Sequence, residues 1–184
     1  MAKSSTAAVI VLLSMGLAGG PAGAVDGISV TGGAGAANSS GNGTSLARVA
    51  LQWDWEKRWF KGDHWHLGGF WDADVAYWER DAAPGQNGDL YEVGLTPVFR
   101  YQRNDLRGPY VEGGIGAHFL SQTSLGDKTF STSFQFGTHI AVGYRFGAHQ
   151  AFDISYAYQH LSNAGIKTPN DGIDFHEIRL QYHF

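Results

Sequence analysis

The chain has 184 residues, no cysteine, 26 glycines, 6 tryptophans, 8 tyrosines and 11 phenylalanines, and its formal net charge is −4. This length and the 43% share of hydrophobic residues indicate one folded domain with a sizeable core, not a disordered chain. The absence of cysteine excludes disulfide scaffolds, thiolate metal sites and a cysteine nucleophile. The negative net charge offers no basic patch, so we expect no nucleic acid partner.

The amino terminus has the three parts of an export signal. Lys3 provides a basic start, residues 7–13 an apolar core, and residues 22–24 (Ala-Gly-Ala) a small-residue cleavage site. The apolar run is too short for a membrane-spanning helix, which needs ~20 residues. The sequence therefore predicts a signal peptide over residues 1–24 and one mature domain over residues 25–184.

Apolar and polar residues alternate with period two through most of the mature chain, which is typical of β-strands. A weaker segment of the same kind covers residues 27–35, and no segment repeats at a helical period. The seven clear strands are predicted near residues 49–56, 65–78, 91–101, 111–119, 134–146, 152–159 and 177–184.

Three features favour a membrane barrel over a soluble β-sandwich, which would also alternate. Trp, Tyr and Phe are enriched at strand ends on the apolar face, as in the aromatic girdles of membrane barrels. The opposite face is polar and rich in glycine, which suits the packed lumen of a small barrel. The chain ends on a strand at Phe184, and such a terminal aromatic resembles the assembly signal of bacterial outer-membrane proteins.

The lengths of the connections agree with this interpretation. Short connections are predicted near residues 61–63, 103–106 and 147–150, and longer ones near residues 36–44, 81–88, 121–131 and 163–172. Short periplasmic turns and long outer loops are the rule in these barrels. The 160 mature residues supply eight tilted strands of ~9–11 residues with their connections. We therefore predict an all-β fold, an eight-stranded antiparallel transmembrane β-barrel of the bacterial outer membrane.

A candidate nucleophile and a candidate base lie close together near the end of the chain. His160 and Ser162 are two residues apart on a predicted strand, so they share a face with their backbones ~7 Å apart. A serine hydroxyl and an imidazole can close that gap, as an activated nucleophile requires. If the following hairpin is centred near Lys167, Asp174 stands opposite His160 and can orient its ring.

Strand parity places these groups on the lipid side of the barrel. The even-numbered residues of the segment 152–158 are apolar and outward-facing, and His160 and Ser162 continue that face. Counting back from the carboxyl terminus puts Asp174 outward as well, whereas Glu177, the other nearby acid, faces the lumen. Polar groups facing lipid are costly without a purpose, which favours a reaction on the acyl ester of an outer-leaflet lipid. The alternative is a hydrated polar rim above the membrane edge.

The sequence around these residues resembles a known family. The stretch His-x-Ser-Asn-Ala-Gly at 160–165, the Pro-Asn-x-Gly loop at 169–172 and the terminal phenylalanine are similar to the lipid A 3-O-deacylases of Gram-negative outer membranes. The resemblance implies an eight-stranded barrel that hydrolyses the ester-linked 3-hydroxyacyl chain at position 3 of lipid A. Lipid A or lipopolysaccharide is then the substrate, the outer membrane is the location, and homodimerisation is left open.

The resemblance also implies the role of each site residue. Ser162 is the nucleophile, His160 the general base and Asp174 the acid, at a position where the family often has glutamate. The oxyanion needs fixed donors, for which the backbone N–H groups between Asn163 and Gly165 and the side chains of Asn163 and Asn170 are candidates. The implied chemistry requires no metal and no cofactor.

Three other functions compete with this interpretation. Outer-membrane phospholipases also use a His-x-Ser spacing, but they resemble twelve-stranded barrels, for which 160 residues are too few. A lipid A palmitoyltransferase is an eight-stranded barrel, but it would keep its reactive groups at the rim or in the lumen. A non-catalytic barrel for adhesion or membrane stability would leave lipid A unchanged by the Ser162→Ala substitution.

Overall fold

The computed structural model describes residues 24–37 and 41–184, so nearly all of the predicted leader lies outside the described residues. Among the described residues, no helix is long and apolar enough to cross a membrane. One turn of 3-10 helix occurs at Ala148–Gln150. The strands are β1 (Gly27–Gly35), β2 (Thr44–Asp54), β3 (Trp65–Arg80), β4 (Asp89–Arg103), β5 (Gly108–Leu120), β6 (Ser124–Leu125), β7 (Lys128–Thr129), β8 (Phe134–Phe146), β9 (Phe152–Ser162) and β10 (Ile173–His183).

Eight of these strands close into an antiparallel barrel. Neighbours are hydrogen-bonded in the order β1-β10-β9-β8-β5-β4-β3-β2, and β1 pairs with both β10 and β2. The closing pair runs from Gly27 opposite His183 to Gly35 opposite Phe175. Closure leaves the barrel without a free strand edge, which is the condition for β structure to span a membrane. The predicted eight-stranded barrel is confirmed, including its weakly patterned first strand.

The alternation of the strands sorts side chains onto two faces. In β9 the even-numbered residues from Phe152 to Tyr158 are exposed, while Asp153, Ser155 and Gln159 are buried. The exposed residues of the other strands are mostly branched aliphatic or aromatic, such as Ile140 on β8, which is 67% exposed. Such side chains are favoured in strands and stable against lipid, so the outer wall is an apolar band.

The lumen is filled by apolar side chains at its outer-loop end. Trp78 lies at the centre of this layer and contacts the ring of Phe175 edge-on, with ring centroids 4.9 Å apart. Its indole Nε1 donates a hydrogen bond to Glu92 at 2.8 Å, where the polar part of the lumen begins. The apolar layer comprises Leu46, Ala76, Trp78, Leu90, Leu120, Leu125, Phe130, Leu161, Ile173 and Phe175.

Below the apolar layer the lumen contains buried ion pairs. Arg48 lies within 3.4 Å of three carboxylates, those of Asp74, Glu92 and Glu177. Arg100 bridges two further carboxylates in the same way. Desolvated charges are tolerated only with such partners. The cavity beside Arg48 has a volume of only about 40 Å³, which is too small for a lipid substrate.

The turn between β2 and β3 is longer than the sequence predicts. It covers residues 55–64, whereas a short connection is predicted near residues 61–63. The turn folds back onto the outer wall, because Trp59 and Leu67 exchange backbone hydrogen bonds of 2.7 and 2.8 Å. Trp55 lies on Gly69, where a Cβ would be 2.4 Å from the indole ring. Two tryptophans packing on the wall therefore account for the extra length, which residue alternation does not reveal.

Candidate active site

His160 and Asp174 lie side by side on the adjacent strands β9 and β10. The register pairs the two residues directly, as the predicted hairpin requires. His160 Nδ1 is 2.7 Å from Asp174 Oδ1, so the aspartate reaches the imidazole. The histidine side chain is 48% exposed and that of the aspartate 14%. Donation from Nδ1 leaves Nε2 as the acceptor nitrogen, the tautomer that a general base needs.

The predicted catalytic side chains lie on the outer wall. Their strand neighbours Leu161 and Ile173 are fully buried in the apolar layer of the lumen, so the alternate positions point outward. Glu177 faces the lumen and accepts hydrogen bonds from Arg48 on both carboxylate oxygens, at 3.1 and 3.0 Å. Asp174 is therefore the nearby acid that shares a face with the histidine.

The backbone of Gly172 lies close to both His160 and Ser162. It has a φ of +60°, and a Cβ there would lie 3.2 Å from His160 Cε1 and 3.6 Å from Ser162 Cβ. A positive φ and a close approach of this kind favour glycine over residues with a side chain. The hydrogen bond of His160 is to Asp174, and among the described residues none joins Ser162 Oγ to the imidazole, so the predicted contact between nucleophile and base is not formed in this structure.

The outer loop 163–172 is held by its own polar groups. The Asn163 side chain donates to Lys167 O at 2.8 Å and accepts from Gly165 N at 2.9 Å. The Asn163 backbone N–H donates to Asn170 Oδ1 at 3.2 Å. The backbone N–H groups of Asn163 and Gly165, both predicted candidates for binding the oxyanion, therefore already have acceptors. The side-chain N–H₂ of Asn170 has none in the part of the chain that the structure describes.

A second outer loop braces the first. The segment 121–133, where the sequence predicts only a long connection near residues 121–131, contains the short hairpin β6–β7. Thr129 N donates to Asp171 Oδ2 at 2.8 Å, and Asp171 N donates to Thr129 O at 3.3 Å. Asn163 Nδ2 also donates to the carbonyl of Phe130, at 2.9 Å. These contacts join segments far apart in the sequence, so no local pattern could have identified them.

A separate cluster in the lumen combines residue types that bind metals. Asp74, Glu92 and His118 are buried there with ligand atoms close together. The guanidinium of Arg48 already forms ion pairs with two of these residues, with Nε 3.1 Å from Asp74 and Nη2 3.4 Å from Glu92. A guanidinium in this position repels a metal cation, so the cluster is an ion-pair network.

Comparisons with known proteins identify the family of the chain. The sequence model of a family described as lipid A 3-O-deacylase (PagL) matches residues 45–183. The lipid A deacylase PagL of Pseudomonas aeruginosa is 34% identical over 145 residues, which cover 78% of this chain and 80% of that protein. The lipid A deacylase PagL of Bordetella bronchiseptica is 33% identical over 147 residues, with the same coverage of 78% and 80%.

Two solved structures are similar to the barrel. The crystal structure of the outer membrane enzyme PagL has a TM-score of 0.75 and 30% identity, covering 86% of this chain and 99% of that one. Neisserial surface protein A has a TM-score of 0.50 and 14% identity, covering 86% and 94%, and shows similarity of fold alone. The sequence match, the barrel and the outer-wall residues lead to one conclusion: the chain belongs to the lipid A 3-O-deacylase (PagL) family.

Proposed function

We propose that the protein is a serine esterase of the bacterial outer membrane that removes the ester-linked 3-hydroxyacyl chain from position 3 of lipid A. Family membership makes it a lipid A deacylase located in the outer membrane. The observation that carries the serine mechanism is the 2.7 Å contact of His160 with Asp174, on the outer wall and beside Ser162. The choice of position 3 rests on the description of the family.

The proposed reaction is acyl transfer to serine and then to water. Ser162 Oγ attacks the ester carbonyl carbon while His160 Nε2 takes its proton, and Asp174 stabilises the imidazolium that forms. When the tetrahedral intermediate collapses, the bond to the sugar oxygen breaks and the imidazolium returns its proton to that oxygen. Water then attacks the acyl-serine with the same base, and this step releases a 3-hydroxy fatty acid and restores Ser162.

The oxyanion requires a donor aimed at the carbonyl oxygen. Of the predicted side chains, that of Asn170 has the better support, since its N–H₂ has no acceptor among the described residues while its Oδ1 accepts a hydrogen bond from Asn163 N at 3.2 Å. The backbone N–H groups of Asn163 and Gly165 would first have to leave the acceptors they have. We therefore propose Asn170 Nδ2 as the main oxyanion donor.

The surface beside Ser162 suits an acyl chain. Ser162 is the last residue of β9 and is paired with Phe136 of β8, so the nucleophile lies where the apolar wall meets the outer loops. Phe134 packs against Phe136 and Phe119 with ring centroids 4.8 and 5.5 Å apart. This exposed aromatic patch offers contacts to an acyl chain that enters sideways from the membrane. The small luminal cavity offers no comparable route.

Mass spectrometry of lipid A tests the proposal. A Gram-negative host expresses the parent chain or the Ser162→Ala variant, and its lipid A is analysed intact and by fragmentation. We expect the loss of one 3-hydroxyacyl group with the parent only, with fragments that assign the loss to position 3. Loss with both proteins would exclude Ser162 as the nucleophile. Unchanged lipid A in the presence of the folded parent barrel would favour a non-catalytic function.

A further inference from the structure

The turn between β2 and β3 carries a segment that is both basic and aromatic. Residues 57–61 read Lys-Arg-Trp-Phe-Lys, so five residues hold three cations and two aromatic rings. The turn lies at the same end of the barrel as the short connections after β4 and β8, which is the periplasmic end in outer-membrane barrels. The segment is therefore far from the proposed triad, which lies at the end of the outer loops.

Aromatic contacts hold this segment against the lipid-facing wall. Trp59 exchanges backbone hydrogen bonds with Leu67, and its ring meets that of Trp55 edge-on with centroids 5.9 Å apart. Trp55 in turn packs on Trp71 and Phe99 with centroid distances of 6.1 and 5.0 Å. Trp71 and Phe99 are exposed residues of the outer wall. The segment thus lies on the surface that contacts lipid, at the interfacial level where tryptophan is enriched.

The cations of the segment have no anionic partner in the protein. The Lys57 ammonium lies over the Trp59 ring, 5.5 Å from its centroid. All three cations of residues 57–61 are exposed, and none forms an ion pair within the part of the chain that the structure describes. The acids of the turn, Glu56 and Asp63, lie outside the segment and are exposed as well. The segment therefore presents three positive charges to its surroundings.

Phe60 adds an apolar side chain to this charged surface. It is the most exposed of the large hydrophobic side chains that the structure describes, at 83%, and its φ is +48°. A bulky residue rarely adopts a positive φ, and an exposed ring gains nothing from water. Cations next to exposed aromatic rings are typical of segments that bind the membrane interface. The surface has the chemistry to bind an anionic lipid.

We infer that residues 57–61 bind an anionic phospholipid of the periplasmic leaflet. Lys57, Arg58 and Lys61 contact the phosphate and headgroup, and Phe60 enters among the acyl chains beside the wall. Each cation near an anionic lipid adds attraction, and the indole under the Lys57 ammonium holds it in place. A symmetric contact with a second copy would instead bring two sets of three cations together. The inference does not depend on the serine mechanism.

Local fluorescence quenching tests the inference, because the chain has no cysteine and accepts a single labelled one. Gly62→Cys is exposed and has open space for its Cβ, so it carries a bimane reporter. The full-length barrel is reconstituted in phosphatidylcholine vesicles in which brominated phosphatidylglycerol or brominated phosphatidylcholine replaces part of the lipid. We expect phosphatidylglycerol to bind beside the reporter about tenfold more tightly than phosphatidylcholine. A reporter at Arg107→Cys, in the next periplasmic turn, should show less than about twofold preference.

Two variants with equal net charge locate the effect. Lys57→Gln/Arg58→Gln/Lys61→Gln should reduce the preference at the Gly62→Cys reporter to less than about twofold. Arg107→Gln/Lys128→Gln/Lys167→Gln removes the same charge elsewhere and should leave the preference unchanged.

Three results would overturn the inference. One is equal quenching by the two brominated lipids at Gly62→Cys in the otherwise unchanged chain. Another is an equal loss of preference in the two triple variants, which would reflect net charge alone. The third is dimerisation in micelles that only Lys57→Gln/Arg58→Gln/Lys61→Gln abolishes, without any preference for phosphatidylglycerol, which would assign the surface to a second copy of the chain.

Discussion

Three histidine–carboxylate pairs occur among the described residues, and two of them, His118–Glu92 and His160–Asp174, lie near a threonine or serine side chain. In the lumen, Thr96 Oγ1 is 3.3 Å from His118 Nε2, and His118 Nδ1 is bonded to Glu92. On the outer wall, His160 is bonded to Asp174 beside the proposed nucleophile. The luminal group has the complete connectivity of a hydroxyl–imidazole–carboxylate triad. Connectivity alone therefore does not identify an active site.

The surroundings separate the two groups. The side chains of His118 and Glu92 are 1% and 0% exposed, and Glu92 also accepts a hydrogen bond from Trp78. Arg48 neutralises that carboxylate from the other side. On the outer wall the imidazole of His160 is half exposed to the region where lipid lies. Substrate access and uncommitted atoms are the reasons why we propose the outer group as the catalytic one, and we expect the luminal group to stabilise the barrel.

The largest expected effect contrasts the two hydroxyl groups. Ser162→Ala removes the proposed nucleophile and should lower kcat by about 10⁴–10⁶-fold without changing the unfolding midpoint. Thr96→Val removes the luminal hydroxyl with little change in shape and should leave kcat within about twofold. Both are measured by lipid A deacylation with purified, folded enzyme. Loss of activity in Thr96→Val with retention in Ser162→Ala would reverse the assignment.

The two acids should also differ. Asp174→Asn keeps the shape of the acid but removes the charge that orients and stabilises the imidazolium, so kcat should fall by about 10²–10⁴-fold. Asp174→Glu restores the charge and should recover much of that loss. Glu92→Gln in the lumen should leave kcat within about threefold, because no reacting atom contacts it. Equal impairment in Asp174→Asn and Glu92→Gln would contradict the comparison.

Loss of the central luminal cation should affect stability and not catalysis. Arg48→Met leaves the carboxylates of Asp74, Glu92 and Glu177 without their shared cation. We expect the free energy of unfolding to fall by about 3–5 kcal/mol, as measured by urea denaturation in micelles. Arg107→Met, in an exposed turn, should change it by less than about 0.5 kcal/mol. A lower kcat per folded molecule of Arg48→Met would contradict the hypothesis that the luminal ion pairs affect only the stability of the barrel.

The smallest expected effect concerns the contact between the loop and the triad. Gly172→Ala would place a methyl group 3.2 Å from His160 Cε1 at a φ of +60° and should lower kcat about tenfold. Gly85→Ala at a φ of +88° has open space around its Cβ and is the matched control. Both should destabilise the barrel by about 1 kcal/mol through backbone strain. Similar activities of the two variants would show that the loop does not position His160.

The barrel and the outward residues of the site could be predicted because both follow from strand parity. The alternation along β9 assigns His160 and Ser162 to the lipid side, and the hairpin length sets Asp174 opposite His160. A period of two and a count of loop residues suffice for such assignments. The resemblance of residues 160–165 to the family added the chemistry.

The rest of the site depends on contacts that have no local pattern. Asn163 donates hydrogen bonds from its backbone N–H to Asn170 Oδ1 and from its side chain to the carbonyl of Phe130 in another loop. These bonds make Asn163 a poorer oxyanion donor than Asn170. The bond between Thr129 and Asp171 is likewise invisible in the sequence. The turn 55–64 folds against the outer wall because Trp55 and Trp59 pack there, and composition alone does not specify where these side chains pack.

Covalent labelling tests the central claim most directly. The purified barrel is treated with a serine-reactive fluorophosphonate probe, and the modified residue is located by peptide mass mapping. The outer-wall assignment predicts a single adduct on Ser162, which is retained in Thr96→Val and lost in His160→Ala. An adduct on Thr96, or an enzyme that deacylates lipid A while Ser162 remains unmodified at saturating probe, would contradict it.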